Sequence, residues 1–103
     1  MQLCNISIRE VVTAADYRSA FNERTVMTNF FNAAEGGEIS REQWLAIAHE
    51  HGVPCHLDAA ADVPPIENLW KYTGMGFDLV CFSGGKGIRG PQNAGLLLSL
   101  IHI

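Results

Sequence analysis

The chain has 103 residues, 48% of them hydrophobic and 17% charged, with a net charge of -4. That is the make-up of one small globular domain, rather apolar for its length, and the acidic balance excludes the basic patch that tight nucleic-acid binding needs. No apolar run nears the roughly 20 residues of a membrane span, and Met1 to Arg9 lacks a basic stretch followed by a long apolar core, so no secretory signal is read and a cytoplasmic protein is expected.

Leu3, Ile6, Ile8, Val11 and Val12 give the first residues weak strand character. Thr13 followed by Asp16 predicts a helix start, with Tyr17, Ala20 and Phe21 on one face and an end near Glu23 or Arg24. Thr25 to Phe31 is rich in β-branched and aromatic residues and predicts a first firm strand, broken by the glycine-containing stretch from Asn32 to Glu38. Ser40 and Gln43 fit a capping box, Trp44, Leu45, Ile47 and Ala48 supply an apolar face, and Gly52 stops the helix. His49 and His51 flank that end as solvated or capping groups. This helix is expected to cross over to a second, parallel strand, Val53 to Asp58.

Asp62-Val-Pro-Pro-Ile66 is expected to open the next crossover helix, because proline is tolerated in a first helical turn, with Asp62 as its cap. Leu69, Trp70 and Tyr72 are expected to pack inward, and Gly74 or Gly76 to end it. The apolar run Leu79 to Phe82, bounded by Asp78 and by Ser83-Gly84-Gly85, suggests a third strand buried on both faces of a parallel sheet. After the turn at Gly90-Pro91, Ala94 to Leu98 predicts a fourth strand. The link is too short for a parallel crossover, so this strand is expected to be antiparallel.

The chemistry concentrates at Lys86, in the loop beyond the third strand, where open α/β sheets bind ligands. A phosphate-binding loop requires Gly-Lys followed by Ser or Thr, and here Gly87 follows Lys86 with no glycine at the upstream position. The amine's other use is a Schiff base with a carbonyl cofactor, and pyridoxal phosphate then demands an acid to pair with its ring nitrogen. Asp58 closes the second strand at the same edge, and parallel neighbours lie about 4.8 Å apart, so Asp58 and Lys86 can bracket a pyridine ring beside the small residues Ala59 to Ala61. Ser83 and the amides of Gly84 and Gly85 are candidate phosphate donors, and Arg89 is a cation for the same anion or for a substrate carboxylate. His56 is read as a neutral histidine beside the cofactor or in the core. A metal centre is not expected, because Cys55 points away from His56 and Asp58 on a strand.

The pairing of Val53-Pro-Cys-His-Leu-Asp-Ala-Ala-Ala-Asp62 with Phe82-Ser-Gly-Gly-Lys-Gly-Ile-Arg-Gly-Pro-Gln92 resembles fold-type-I pyridoxal-phosphate enzymes of the selenocysteine synthase-like group, which takes in the L-seryl-tRNA(Sec) selenium transferases and D-glucosaminate-6-phosphate ammonia-lyases. The resemblance runs from about Val12 to Leu98. It implies that Lys86 carries the cofactor as a Schiff base, that Asp58 faces the pyridinium nitrogen and that Ser83 contacts phosphate. It also implies an α/β fold, a partial three-layer mixed sheet with crossover helices forming part of the large domain of a fold-type-I transferase. The implied activity is a lyase or transferase reaction by β-elimination on a small amino-acid or sugar-acid substrate, in a homo-oligomer.

Such enzymes are several times larger, so residues 1–98 are read as a fragment of the cofactor-binding domain. Residues 99–103 are read as an atypical tail, truncated or foreign. Cys4, Cys55 and Cys81 lack C-x-x-C spacing and are read as free, buried thiols. Two other readings stand beside this one: a non-catalytic piece that packs against a partner, and an unrelated α/β phosphate-binding module with Gly84 to Arg89 as an anion nest.

Overall fold

The computed structural model describes residues 5–99. What the sequence suggests for residues 1–4 and 100–103 lies outside the described residues. Thr13 caps the first helix, α1 (Ala14–Ala20), by accepting the Asp16 amide at 3.1 Å. The helix ends short of the expected Glu23, because Asn22 folds the chain into its own turn. The Arg24 amide donates to Asn22 Oδ1 at 2.8 Å and the Thr25 amide to the Asn22 carbonyl at 3.1 Å, the local competition with helix that short polar side chains offer.

The first strand, β1, is Thr28–Phe31, and it pairs with β2, Cys55–Asp58. Both are shorter than expected. Pro54 has no amide hydrogen to give a ladder, so pairing begins where the Thr28 amide donates to the Pro54 carbonyl at 2.9 Å. Val26 and Met27 consequently stand exposed.

Between these strands, α2 (Arg41–Glu50) opens on the complete capping box, with the Gln43 amide on Ser40 Oγ at 3.2 Å and the Ser40 amide on Gln43 Oε1 at 3.0 Å. At its far end His51 Nδ1 lies 2.9 Å from the Ile47 carbonyl.

The second crossover corrects the sequence reading. Helix α3 is Asn68–Met75, and its N-cap Glu67 makes no side-chain bond. The prolines precede it in a turn, in which the Asn68 amide donates to the Pro65 carbonyl. Asp62 is not its cap, since its carboxylate accepts from Asn32 instead. Tyr72 is buried but Trp70 is 59% exposed, because residues two apart on a helix point roughly 200° apart. Gly76 closes α3 at φ 115°, a left-handed cap that glycine takes without strain.

The last strands are β3, Leu79–Ser83, and β4, Gly95–Ser99. The sheet order is β1-β2-β3-β4, parallel except for the antiparallel β4. Ser99 still pairs with Leu79, so the ladder continues into the first residue assigned to the tail. Both crossover helices pack on one face, over a core of Phe30, Leu45, Ala48, Leu57, Phe77, Val80 and Phe82. Helix α1 adds to that side, with the Tyr17 ring stacked on Trp44 at 3.8 Å between centroids.

The other face is open among the described residues, with Phe31 60% and Leu97 45% exposed. The apolar run of β3 is therefore buried on one face, at Val80 and Phe82, and half-buried on the other, at Leu79 and Cys81. Of the three layers expected, the described residues form the sheet and one helical layer.

Asp78 pins the corner where three elements meet. Its Oδ2 accepts the Cys55 amide at 2.8 Å and lies 3.0 Å from His49 Nε2, joining the end of α2 to the starts of β2 and β3. Burial works against its charge, but the His49 hydrogen bond, the Cys55 amide and the charge of His49 together hold the carboxyl below its ordinary value. A depressed carboxyl stabilises the fold fully above its unfolded pKa and loses that contribution as pH falls through the folded one. Asp78→Ala should therefore lower the unfolding free energy by about 1–2 kcal/mol at neutral pH, measured by urea denaturation. The gap to the parent chain should close on strong acidification.

Candidate active site

Asp58 is the last residue of β2, in register with Phe31 of β1 on one side and Cys81 of β3 on the other. Leu57 before it is fully buried in the core, so alternation turns Asp58 to the open face, where it is half-buried. Its Oδ1 accepts the Ala60 amide at 3.2 Å and the Cys81 thiol at 3.6 Å. Among the described residues no donor reaches Oδ2.

The chain beyond Asp58 is stitched to β3. The Ala59 amide donates to the Cys81 carbonyl and the Ser83 amide to the Ala60 carbonyl, each at 3.0 Å. Farther on, the Asp62 carboxylate is tied to Asn32, whose side chain also donates to the Tyr72 hydroxyl at 3.1 Å and accepts from Arg41 Nε at 2.7 Å. This network holds the β2 loop to the end of β1 and to both crossover helices.

The lysine loop leaves β3 at the same edge. Gly87 abuts the Val63 carbonyl so closely that a side chain there would collide with it, so the loops after the two strands touch. A Cβ on Gly84 would lie 2.7 Å from the Ala94 carbonyl oxygen, and one on Gly85 2.7 Å from Gln92 Cα. Close backbone packing is thus one reason for the glycines. It also corrects one expectation: the Gly84 amide already donates to the Ala94 carbonyl at 2.8 Å and is not free for phosphate. Among the described residues the Gly85 amide has no acceptor, and Lys86 is exposed with no ion-pair partner. Arg89 is exposed too, at φ 60°.

His56 stands two residues before Asp58 on the same face, its Nδ1 2.5 Å from Asn29 Oδ1. Burial lowers its pKa, against the pull of the Asp58 charge. Burial thus favours the neutral ring, and with the Asn29 side-chain Oδ1 as acceptor Nδ1 carries the hydrogen. Ser83 is half-buried, two residues past Cys81 on the open face. The fold thus sets His56, Asp58, Cys81 and Ser83 on one face and carries Lys86 just beyond their edge.

Sequence reasoning missed Cys81, taken for a buried thiol. Of the two cysteines among the described residues only Cys55 is fully buried, and both are free. The missed signal was alternation: if Val80 and Phe82 face the core, Cys81 faces Asp58 across the ladder. Two concavities of the described surface, one beside α1 and one lined by Ile88, Pro91 and Leu96, include neither Asp58 nor Lys86.

No family model matches the chain. Among curated proteins it is similar to L-seryl-tRNA(Sec) selenium transferases, at 28% identity to that of Aquifex aeolicus and 30% to that of Geobacter metallireducens, each over 88% of this chain. It is 33% identical to that of Proteus mirabilis over 81% of this chain. The chain spans about a quarter of the length of these relatives, at 25%, 24% and 21%. Among solved structures, D-glucosaminate-6-phosphate ammonia-lyase matches with a TM-score of 0.71 at 24% identity, over 91% of this chain and 26% of that one. No helix among the described residues is long and apolar enough to cross a membrane. In sequence the chain is similar to a stretch of the selenium transferases, and in fold to a stretch of the ammonia-lyase, as expected for part of a fold-type-I large domain.

Proposed function

We propose that residues 1–98 are the cofactor-binding part of a pyridoxal-phosphate lyase or transferase of the selenocysteine synthase-like group. The observation that carries this reading is the pairing at the sheet edge: a carboxylate at the tip of β2 with one oxygen unclaimed among the described residues, and in the loop beyond the adjacent parallel strand a lysine with no ion-pair partner among them. The donor set fits the cofactor. Asp58 Oδ2 is the acceptor for the ring N–H, the Lys86 amine is the covalent anchor, and the Ser83 hydroxyl with the Gly85 amide are the phosphate donors. Arg89 supplies a cation for phosphate or a substrate carboxylate, and His56 a neutral ring beside the carboxylate.

When bound, the cofactor supplies an electron sink for charge developing at a substrate α-carbon. Asp58 holds the ring nitrogen's proton in place. Lys86, which would anchor the group, would also be placed to take the substrate's α-proton as general base in a β-elimination. The substrate class is a small amino acid or sugar acid; a net charge of -4 disfavours tRNA as a partner of this stretch. The open face of the sheet is where the third layer expected of the large domain would lie, and the setting proposed for the whole protein is a cytoplasmic homo-oligomer.

The test is a titration of the chain with pyridoxal phosphate, followed by borohydride reduction and peptide mass spectrometry. The expected result is a visible absorbance band and cofactor mass on Lys86, both lost in Lys86→Ala. Asp58→Asn presents an amide N–H to the ring N–H and should weaken binding by roughly 10-fold or more, the effect of a lost charged hydrogen bond. Absence of binding would favour a chain that only packs against a partner. Binding indifferent to Asp58→Asn would favour a plain phosphate nest, a reading already weakened because Gly84 has given its amide to Ala94.

A further inference from the structure

We infer that Cys81 is a positioning residue for Asp58, its thiol holding Oδ1 so that Oδ2 is the oxygen presented to a ligand N–H. This rests on the cofactor reading above. A carboxylate at the end of an aspartate turns about a broad, roughly two-fold torsion, so a single amide contact leaves its orientation loose. Here two donors converge on one oxygen from different parts of the chain, the Ala60 amide at 3.2 Å from just downstream and the Cys81 thiol at 3.6 Å from the neighbouring strand.

The thiol comes from the residue in register with Asp58, so the ladder itself sets its distance. Burial raises the Cys81 pKa, and the charge and hydrogen bond of Asp58 raise it further. The sulfur thus keeps its proton at neutral pH and acts as a donor. Cys55, on the core face, makes no side-chain hydrogen bond to the site among the described residues, and its thiol is pushed up to about 11, chiefly by burial.

A thiol is a weak donor, so the effect on affinity is severalfold. Cys81→Ala removes the donor, Cys81→Val removes it while filling the volume, and Cys81→Ser restores it. The experiment measures the affinity of each variant for pyridoxal phosphate and for its 1-deaza analogue, whose ring has carbon in place of nitrogen. Cys81→Ala and Cys81→Val should each bind pyridoxal phosphate about 3- to 10-fold more weakly, as for one lost hydrogen bond. Cys81→Ser should stay within about 2-fold of the parent, and the penalty should vanish with the deaza analogue, which offers Asp58 nothing to hold.

An equal penalty for both ligands, or no rescue by serine, would make Cys81 merely structural and overturn the inference. If Asp58→Asn abolishes the preference for the nitrogen-containing ring while Cys81→Ala and Cys81→Val keep it, this inference fails and the cofactor reading survives. If Asp58→Asn leaves that preference intact, or nothing binds, the reading and the inference fail together.

Discussion

The parallel pairing of β2 with β3 is the constraint on which the rest depends. Side chains alternate along a strand, so a slip of one residue would carry Asp58 into the core and Leu57 out to solvent. The register is fixed from three directions. At the start, the Asp78 carboxylate takes the Cys55 amide. In the middle, Leu57 and Val80 lie side by side in the core. Beyond the end of β2, the Ala59 and Ser83 amides prolong the ladder. Each of these would be lost in a slipped register, so the chemistry of the edge inherits its geometry from contacts that serve folding.

Legibility divided along the line between local and long-range causes. The Thr13 cap, the Ser40 and Gln43 capping box and the reversal into β4 were readable because neighbours in sequence decide them. So was the location of Asp58 at the end of β2 and of Lys86 beyond β3, since both follow apolar runs. The misreadings came where a distant partner decided. Asp62 looks like a helix cap until Asn32 arrives from the end of β1 to claim it. Gly84 looks like a phosphate cradle until the Ala94 carbonyl arrives from the far end of its loop. Trp70 looks like core by its size, yet the face of α3 that meets the sheet is set by Tyr72, Leu69 and Met75. Cys81 reads as buried only if both faces of β3 are covered, and one of them is open among the described residues.

The two faces of the sheet do different work. One is sealed by α2 and α3 and holds the core. Across the other, at the level of Asp58, the registers line up Phe31, Asp58, Cys81 and Leu97 in a single row, a carboxylate and a thiol flanked by exposed apolar side chains. While that row meets water, the half-buried Asp58 keeps part of its solvation and a ligand's N–H competes with solvent for Oδ2. Covering Phe31 and Leu97 would lower the local dielectric, which strengthens a hydrogen bond to the carboxylate and raises the cost of leaving it unpaired. The apolar flanks therefore couple two events: whatever closes over this face favours a cationic N–H at Asp58, and a ligand that supplies one makes closure less costly.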